Sequence, residues 1–258
     1  MRHVGSIAGW IVAIAVAVLL GARPADAREA GSGITLAWTE GDVAGQTAIT
    51  GDDGRTVGVV LYHQHRRGDV LECTRVSRFE DGSSDEDTAV ARVDRTLVAL
   101  RGRSIIRNRQ GKPIVDLKID VAGGRVTGFY DDGTRHEVDE AIALPPDTYW
   151  GPLIFMVVKN FDANADDDRV VFKTVAPTPK PRVLTMELVR TGRTRIRRMG
   201  DDVPVERFSL RPTFGWLVDP ILHRMVPSTE FFVEPGAPPS LARYAGPRNY
   251  DGQEIVLQ

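Results

Sequence analysis

The most enzyme-like feature of this 258-residue chain is His63-Gln64-His65. In an extended strand, residues two apart project to the same face, so the two imidazoles could share a metal ion. A catalytic zinc site would add a third ligand, and Glu72, His136 or His223 could supply it; the spacing selects none of them. The competing reading is a pair of polar residues on the wet face of a strand, just before Arg66-Arg67-Gly68. That reading is preferred, and no resident metal is expected. Asp162-Ala163-Asn164-Ala165-Asp166-Asp167-Asp168 places oxygen ligands at alternate positions, as a calcium loop does. The EF-hand pattern also needs Gly at its sixth position and Glu at its twelfth, where this chain has Asp167 and Lys173. It reads as a solvated acidic turn.

Arg101, Arg103, Arg107 and Arg109 recur at strand spacing, and Arg193, Arg195 and Arg197 repeat the arrangement. Such a face could meet phosphate or lipid headgroups. Acidic neighbours across a sheet would neutralise it, and Glu80-Asp81 and Asp85-Glu86-Asp87 are available for that. The chain has no G-x-S-x-G elbow, P-loop, G-x-G-x-x-G after a strand, CxxC or HExxH. No cofactor is therefore expected. Cys73, the single cysteine, sits in the strand-like run Val70-Leu71-Glu72-Cys73-Thr74 and reads as a small buried hydrophobe. What remains are aromatic side chains able to line an apolar site: Tyr149, Trp150, Phe155, Phe161, Phe214 and Trp216.

The elements that must position these residues are mostly strands. Alternating runs at Thr56 to Arg66, Val70 to Phe79, on to about Val93, Leu97 to Arg109, Ile114 to Val121, Val126 to Tyr130 and Thr134 to Ile142 are punctuated by Gly- and Asp-containing turns. Asp-Gly and Gly-Gly pairs between alternating runs mark hairpins. The connections are too short for crossover helices, so the runs form an antiparallel meander. Asp147 to Phe161 breaks the pattern. Asp147 or Thr148 can cap a helix, Pro152 suits its first turn, and Leu153 to Val158 is apolar on every face, which predicts a buried helix, with a buried strand as the rival reading. Strands resume at Arg169 to Val175, Arg182 to Arg190, Arg193 to Met199, Val205 to Arg211, Glu230 to Glu234, Ala242 to Gly246 and Glu254 to Leu257. Phe214 to Leu222, with Pro220 inside it, reads as a hydrophobic loop that closes one end of the fold.

Residues 1–27 read as a cleavable export signal. Arg2 and His3 precede an uncharged apolar run from Ile7 to Leu20, and Ala25-Asp26-Ala27 has the A-x-A form cut by signal peptidase. The run is shorter than the roughly 20 residues needed to cross a bilayer. After cleavage at Ala27 the expected product is one β-rich domain, residues 28–258, periplasmic or secreted and not membrane-spanning. A net charge of −2 argues against a nucleic-acid-coating role, and a single cysteine excludes an internal disulfide.

Gly111-Lys112-Pro113, Thr148 to Leu153 (Thr-Tyr-Trp-Gly-Pro-Leu), Pro177 to Arg182 (Pro-Thr-Pro-Lys-Pro-Arg), Pro235 to Pro239 and Ala245-Gly246-Pro247 together resemble a family of uncharacterised secreted bacterial proteins. That resemblance names no activity. At the level of architecture the chain is also similar to the open half-barrels of outer-membrane lipoprotein carriers, which implies a curved sheet around apolar helices. The expected fold is mainly β: a single curved antiparallel sheet, a half-barrel or near-closed barrel, with one buried helix on its concave side. The expected function is non-enzymatic binding of a lipid or other amphiphile between sheet and helix by the six aromatic residues. The alternatives are a hydrolase or lyase with its site in the same concavity, and an envelope scaffold docking through its arginine face.

Overall fold

The computed structural model describes residues 33–51, 53–176, 178, 180–198, 200–213, 229–248 and 254–257. The expected leader at 1–27, Phe214 and Trp216, and the loop expected over Phe214 to Leu222 lie outside them.

Alternation of inward apolar and outward polar residues dictates strands, and fifteen form among the described residues: β1 (Ile34–Thr35), β2 (Val43–Gly51), β3 (Thr56–Arg67), β4 (Val70–Phe79), β5 (Ser84–Val93), β6 (Thr96–Arg107), β7 (Pro113–Asp120), β8 (Arg125–Asp131), β9 (Arg135–Ala141), β10 (Arg169–Ala176), β11 (Arg182–Arg198), β12 (Asp201–Thr213), β13 (Thr229–Glu234), β14 (Ser240–Pro247) and β15 (Glu254–Leu257). Every pairing between these strands is antiparallel, and they make one sheet. Its order is β10-β11-β12-β13-β14-β15-β2-β3-β4-β5-β6-β7-β8-β9, with β1 added to β6. The C-terminal strand β15 pairs with β2 (Ile255 opposite Gly51) and so joins the two meanders into one surface.

The sheet is not closed, because β9 and β10 are its two ends. The chain between them covers part of the exposed edge. Thr148 bridges Lys173 in parallel, the Tyr149 N–H donates to the Lys173 carbonyl (2.8 Å), and the Lys173 N–H donates to the Asp147 carbonyl (2.9 Å). This corrects the expected helix start. Asp147 and Thr148 satisfy a strand edge rather than cap a helix, and α1 runs only over Leu153–Lys159, followed by a 3-10 turn at Phe161–Ala163. Long-range pairing outweighed the local capping signal.

The expected concave-side helix is present. Leu153, Met156, Val157 and Val158 of α1 are buried in the main core, with Leu71 and Ala89 from β4 and β5, Leu117 from β7, Phe172 from β10 and Phe231 from β13. Two buried asparagines then tie the chain's first described segment across the helix end. Asn160 accepts from the Trp38 N–H (2.8 Å) and donates to the Trp38 carbonyl (3.1 Å). Asn164 does the same with Thr35, at 2.7 and 2.8 Å. Each amide thus acts as a strand-like partner for the backbone N–H and C=O of one residue, Trp38 or Thr35.

Two bulges set which side chains face inward. An extra residue on one strand shifts every later side chain to the other face. In β6 the pairing passes from Ala91–Ala99 to Val90–Arg101, so Leu100 is the extra residue. Leu97 and Ala99 point inward before it, and Ser104 and Ile106 line the interior after it, while Arg101 and Arg103 are exposed. In β11 the extra residue is Thr191, between Arg190 and Gly192. The two runs expected at Arg182 to Arg190 and Arg193 to Met199 are therefore one strand, Arg182–Arg198.

Candidate functional site

Between α1 and the concave face lies a cavity of about 310 Å³, at the small end of the roughly 300–1,000 Å³ typical of small-molecule sites. Most of its wall is apolar. Trp150, Ile154 and Phe155 come from α1 and the turn before it; Ile106, Leu117 and Ile119 come from β6 and β7. Val175, Leu184, Met186 and Leu210 come from β10 to β12.

One end is polar. Arg75 of β4, Asp85 and Asp87 of β5, Ser104 of β6, Tyr244 of β14 and Arg248 just beyond β14 converge there. Asp87 is held on both oxygens, ion-paired with the Arg75 guanidinium and accepting from the Ser104 hydroxyl (2.8 Å). Burial opposes charge on Arg75, but Asp87 beside it, with Tyr244 and Asp85 nearby, outweighs it and holds its pKa above the usual arginine value. Arg248 stacks on the Phe79 ring (3.5 Å from its centre), donates to the Ser83 hydroxyl, and pairs with Asp81 (3.5 Å). The Ser83 hydroxyl, with Arg248 behind it, lowers the Asp81 carboxyl to about 2. Asp85 is treated differently by its surroundings. It is 9 % exposed, its Oδ1 has no hydrogen-bond partner, and burial raises its pKa to about 6 despite the attraction of Arg248 and Arg75.

Two glycines permit this packing. A side chain on Gly102 would lie 2.3 Å from the Trp150 ring, so the indole can rest on β6 and donate through Nε1 to the Thr88 carbonyl (3.2 Å). Gly151 has φ +49 and would place a Cβ 2.8 Å from that of Asp87. It lets the chain turn into α1 directly above the ion pair, in backbone space that favours glycine.

The expected aromatic residues divide. Trp150 and Phe155 line the cavity. Tyr149 is fully buried, its hydroxyl donating to the Leu97 carbonyl (2.6 Å) and accepting from the Ile34 N–H (2.9 Å); it pins β1 to β6. Phe161 packs against Phe208 with ring centres 4.8 Å apart, under the Arg190 guanidinium. Neither Tyr149 nor Phe161 reaches the cavity. Sequence reasoning missed Arg75, Asp85, Asp87 and Arg248. The signal for the aspartates was present: Asp85, Asp87, Ala89, Ala91 and Val93 alternate on one buried face, which places both carboxylates inside.

The other constellations are accounted for by their neighbours. His63 and His65 are exposed, and both ring nitrogens of His65 are engaged, Nδ1 by Asp42 (2.7 Å) and Nε2 by the donating Arg67 Nε (2.9 Å). Among the described residues, no three His, Cys, Asp or Glu side chains stand together as a metal-ligating group. Replacing His65 with alanine should leave stability within about 0.5 kcal/mol, as for ordinary surface changes, and zinc content by elemental analysis well below one equivalent. One equivalent of zinc lost in the variant would restore the metal reading.

Asp162 and Asp168 of the acidic run both face Arg190. Of the arginine faces, Arg103 makes a bidentate pair with Asp116, and Arg109 pairs with Asp81. Arg193 pairs with Glu206. A wider groove of about 620 Å³ crosses the outer face of β5 to β8, but its Arg103 and Arg125 are already matched by Asp116 and Asp139. Cys73 is buried, and burial pushes its thiol up to about 11, which makes it a poor nucleophile. Among the described residues, no helix is long and apolar enough to cross a membrane.

No known protein family matches the chain, and no curated protein matches it. Among solved structures it is similar to the β-barrel-like protein of domain of unknown function DUF1849 from Brucella abortus, at 8% sequence identity and a TM-score of 0.44, over 88% of this chain and 96% of that one.

Proposed function

We propose that this chain is an exported binding protein that holds one small amphiphile between helix and sheet. The observation that carries the reading is the cavity's division: an apolar wall built by α1 and strands from both meanders, and a single polar end. Ligand sites combine a mostly hydrophobic lining with a few placed polar groups that orient the molecule, and this cavity has that composition. Its volume suits a single-tailed molecule rather than a multi-acyl lipid. Export is supported by the leader at residues 1–27, with cleavage after Ala27.

One measurement addresses both parts. Protein recovered from the envelope of an expressing bacterium should have, when denatured, the mass of a chain starting at Arg28. Under native conditions it should carry additional mass from one extractable apolar molecule. A chain retaining Trp10 contradicts export with cleavage, and a bare native mass that no added amphiphile shifts contradicts the binding role.

A second reading is favoured by Asp85 alone. A buried carboxyl with a pKa near 6 in a cleft can take or give a proton near neutral pH. In that case the cavity is the site of a hydrolase or lyase. Turnover lost in Asp85→Asn with binding retained would distinguish it from a carrier.

A further inference from the structure

We propose that the cavity selects an amphiphile with a cationic head, an alkylammonium, and that Asp85 is the group that receives it; this rests on the cavity being a binding site for one small amphiphile. Asp85 lines the cavity while 9 % exposed, and its Oδ1 has no partner. Directly opposite it on the neighbouring strands stand Ser77 and Ile106, neither of them charged. The remaining charged groups at this end are Arg75 from β4, Asp87 from its own strand, and Arg248 with Asp81. Each is committed to another: Arg75 to Asp87, and Arg248 to Asp81 and Ser83. Tyr244, also at this end, is partly buried with its ring against Phe231.

Two other enclosed atoms at this end of the cavity lack partners among the described residues, the Nε of Arg75 and the Nε of Arg248. Each is fixed mid-chain in a planar guanidinium, that of Arg248 held at both terminal nitrogens by Asp81 and Ser83 and that of Arg75 held at Nη2 by Asp87. A carboxyl differs, because its last torsion is broad and two-fold and either oxygen can turn toward the cavity. Asp85 is therefore an open carboxyl of the wall, and when ionised it accepts rather than donates.

An ionised carboxylate without hydrogen bonds is costly in a dry site. An ammonium group supplies both the missing donors and the counter-charge, and such charge-assisted bonds are the strong ones. An anionic head would instead meet the Asp85 charge at close range, and could enter only if Asp85 first took up a proton. The alkyl chain then lies along Phe155, Leu117 and Met186.

Decylammonium, decanol and decanoate share one chain and differ in head charge. Titration calorimetry at pH 7.5 should show decylammonium binding about tenfold or more tighter than either of the others. In Asp85→Asn the three affinities should converge to within about threefold. For the native protein, the preference should shrink as the pH is lowered from 7.5 to 5, because Asp85 takes up its proton near pH 6. Decanoate binding as tightly as decylammonium, or a preference that survives Asp85→Asn, overturns the head-group assignment while leaving the cavity a binding site. Failure of all three to bind, decanol included, overturns the binding role itself and the assignment with it.

Discussion

Truncating Phe161 to alanine should cost about 3–5 kcal/mol, whereas the same truncation at Phe155, six residues earlier, should cost no more than about 2 kcal/mol. Phe161 is 2 % exposed, packs on Phe208, and lies beneath Arg190. Removing its ring leaves a void that β12 and α1 cannot fill without moving, and it also strips a partner from the arginine. Phe155 is only partly buried and borders space that is already empty, with Tyr62 and Phe231 each 6.1 Å away. Truncation there enlarges an existing cavity instead of opening a new one. Denaturant unfolding of the two variants, compared through their midpoints at unchanged slope, gives both costs. Similar large costs at both positions would mean that α1 is a plug completing the core, with no wall facing a ligand.

Much of the fold was legible because local chemistry and final structure agree. Asp81-Gly82 and Gly123-Gly124 fall in turns between β4 and β5 and between β7 and β8. The runs Val70 to Phe79 and Glu254 to Leu257 form strands with those same ends. What escaped notice depends on partners distant in sequence. Val43–Gly51, rich in small residues, gives little alternation of its own; it is a strand because β3 pairs on one side and β15, some 200 residues on, pairs on the other.

The site was half legible for a related reason. Trp150 and Phe155 announce an apolar surface by composition. The acidic runs Glu80-Asp81 and Asp85-Glu86-Asp87 were expected to neutralise the face of Arg101, Arg103, Arg107 and Arg109; Asp81 does pair with Arg109, but Asp85 and Asp87 face inward. The bulge at Leu100 turns those arginines outward, where Arg103 finds Asp116 on the next strand instead. Arg248 comes to Asp81 and Ser83 from more than 160 residues away. Nothing in the residues around it marks that destination.

Asp85→Asn should make the protein more stable at pH 7.5, by up to about 3 kcal/mol, and leave it nearly unchanged at pH 4. The sign follows from linkage. Burial raises the Asp85 carboxyl from the ordinary 3.8 to about 6. Between those values the folded protein holds a proton that the unfolded chain has released. The folded state therefore binds more protons there, and stability falls as the pH rises through that window. Below about pH 4 the carboxyl is neutral in both states and costs nothing. Above about pH 6 the full cost of keeping it ionised in the cavity is present. Asparagine keeps the shape and removes the charge, so its benefit should appear across the same window. Asp81, held near 2, stays ionised throughout and does not contribute to the difference. Chemical denaturation of both proteins at several pH values would show the two curves meeting near pH 4 and separating by pH 7.5. If the variant were instead the less stable at pH 7.5, Arg75 and Arg248 would already balance the Asp85 charge, and the carboxylate would be part of a structural ion cluster. A native chain that is stabilised by losing a buried carboxylate carries that group at a cost in folding, and the proposed binding of a cationic head beside it would offset that cost.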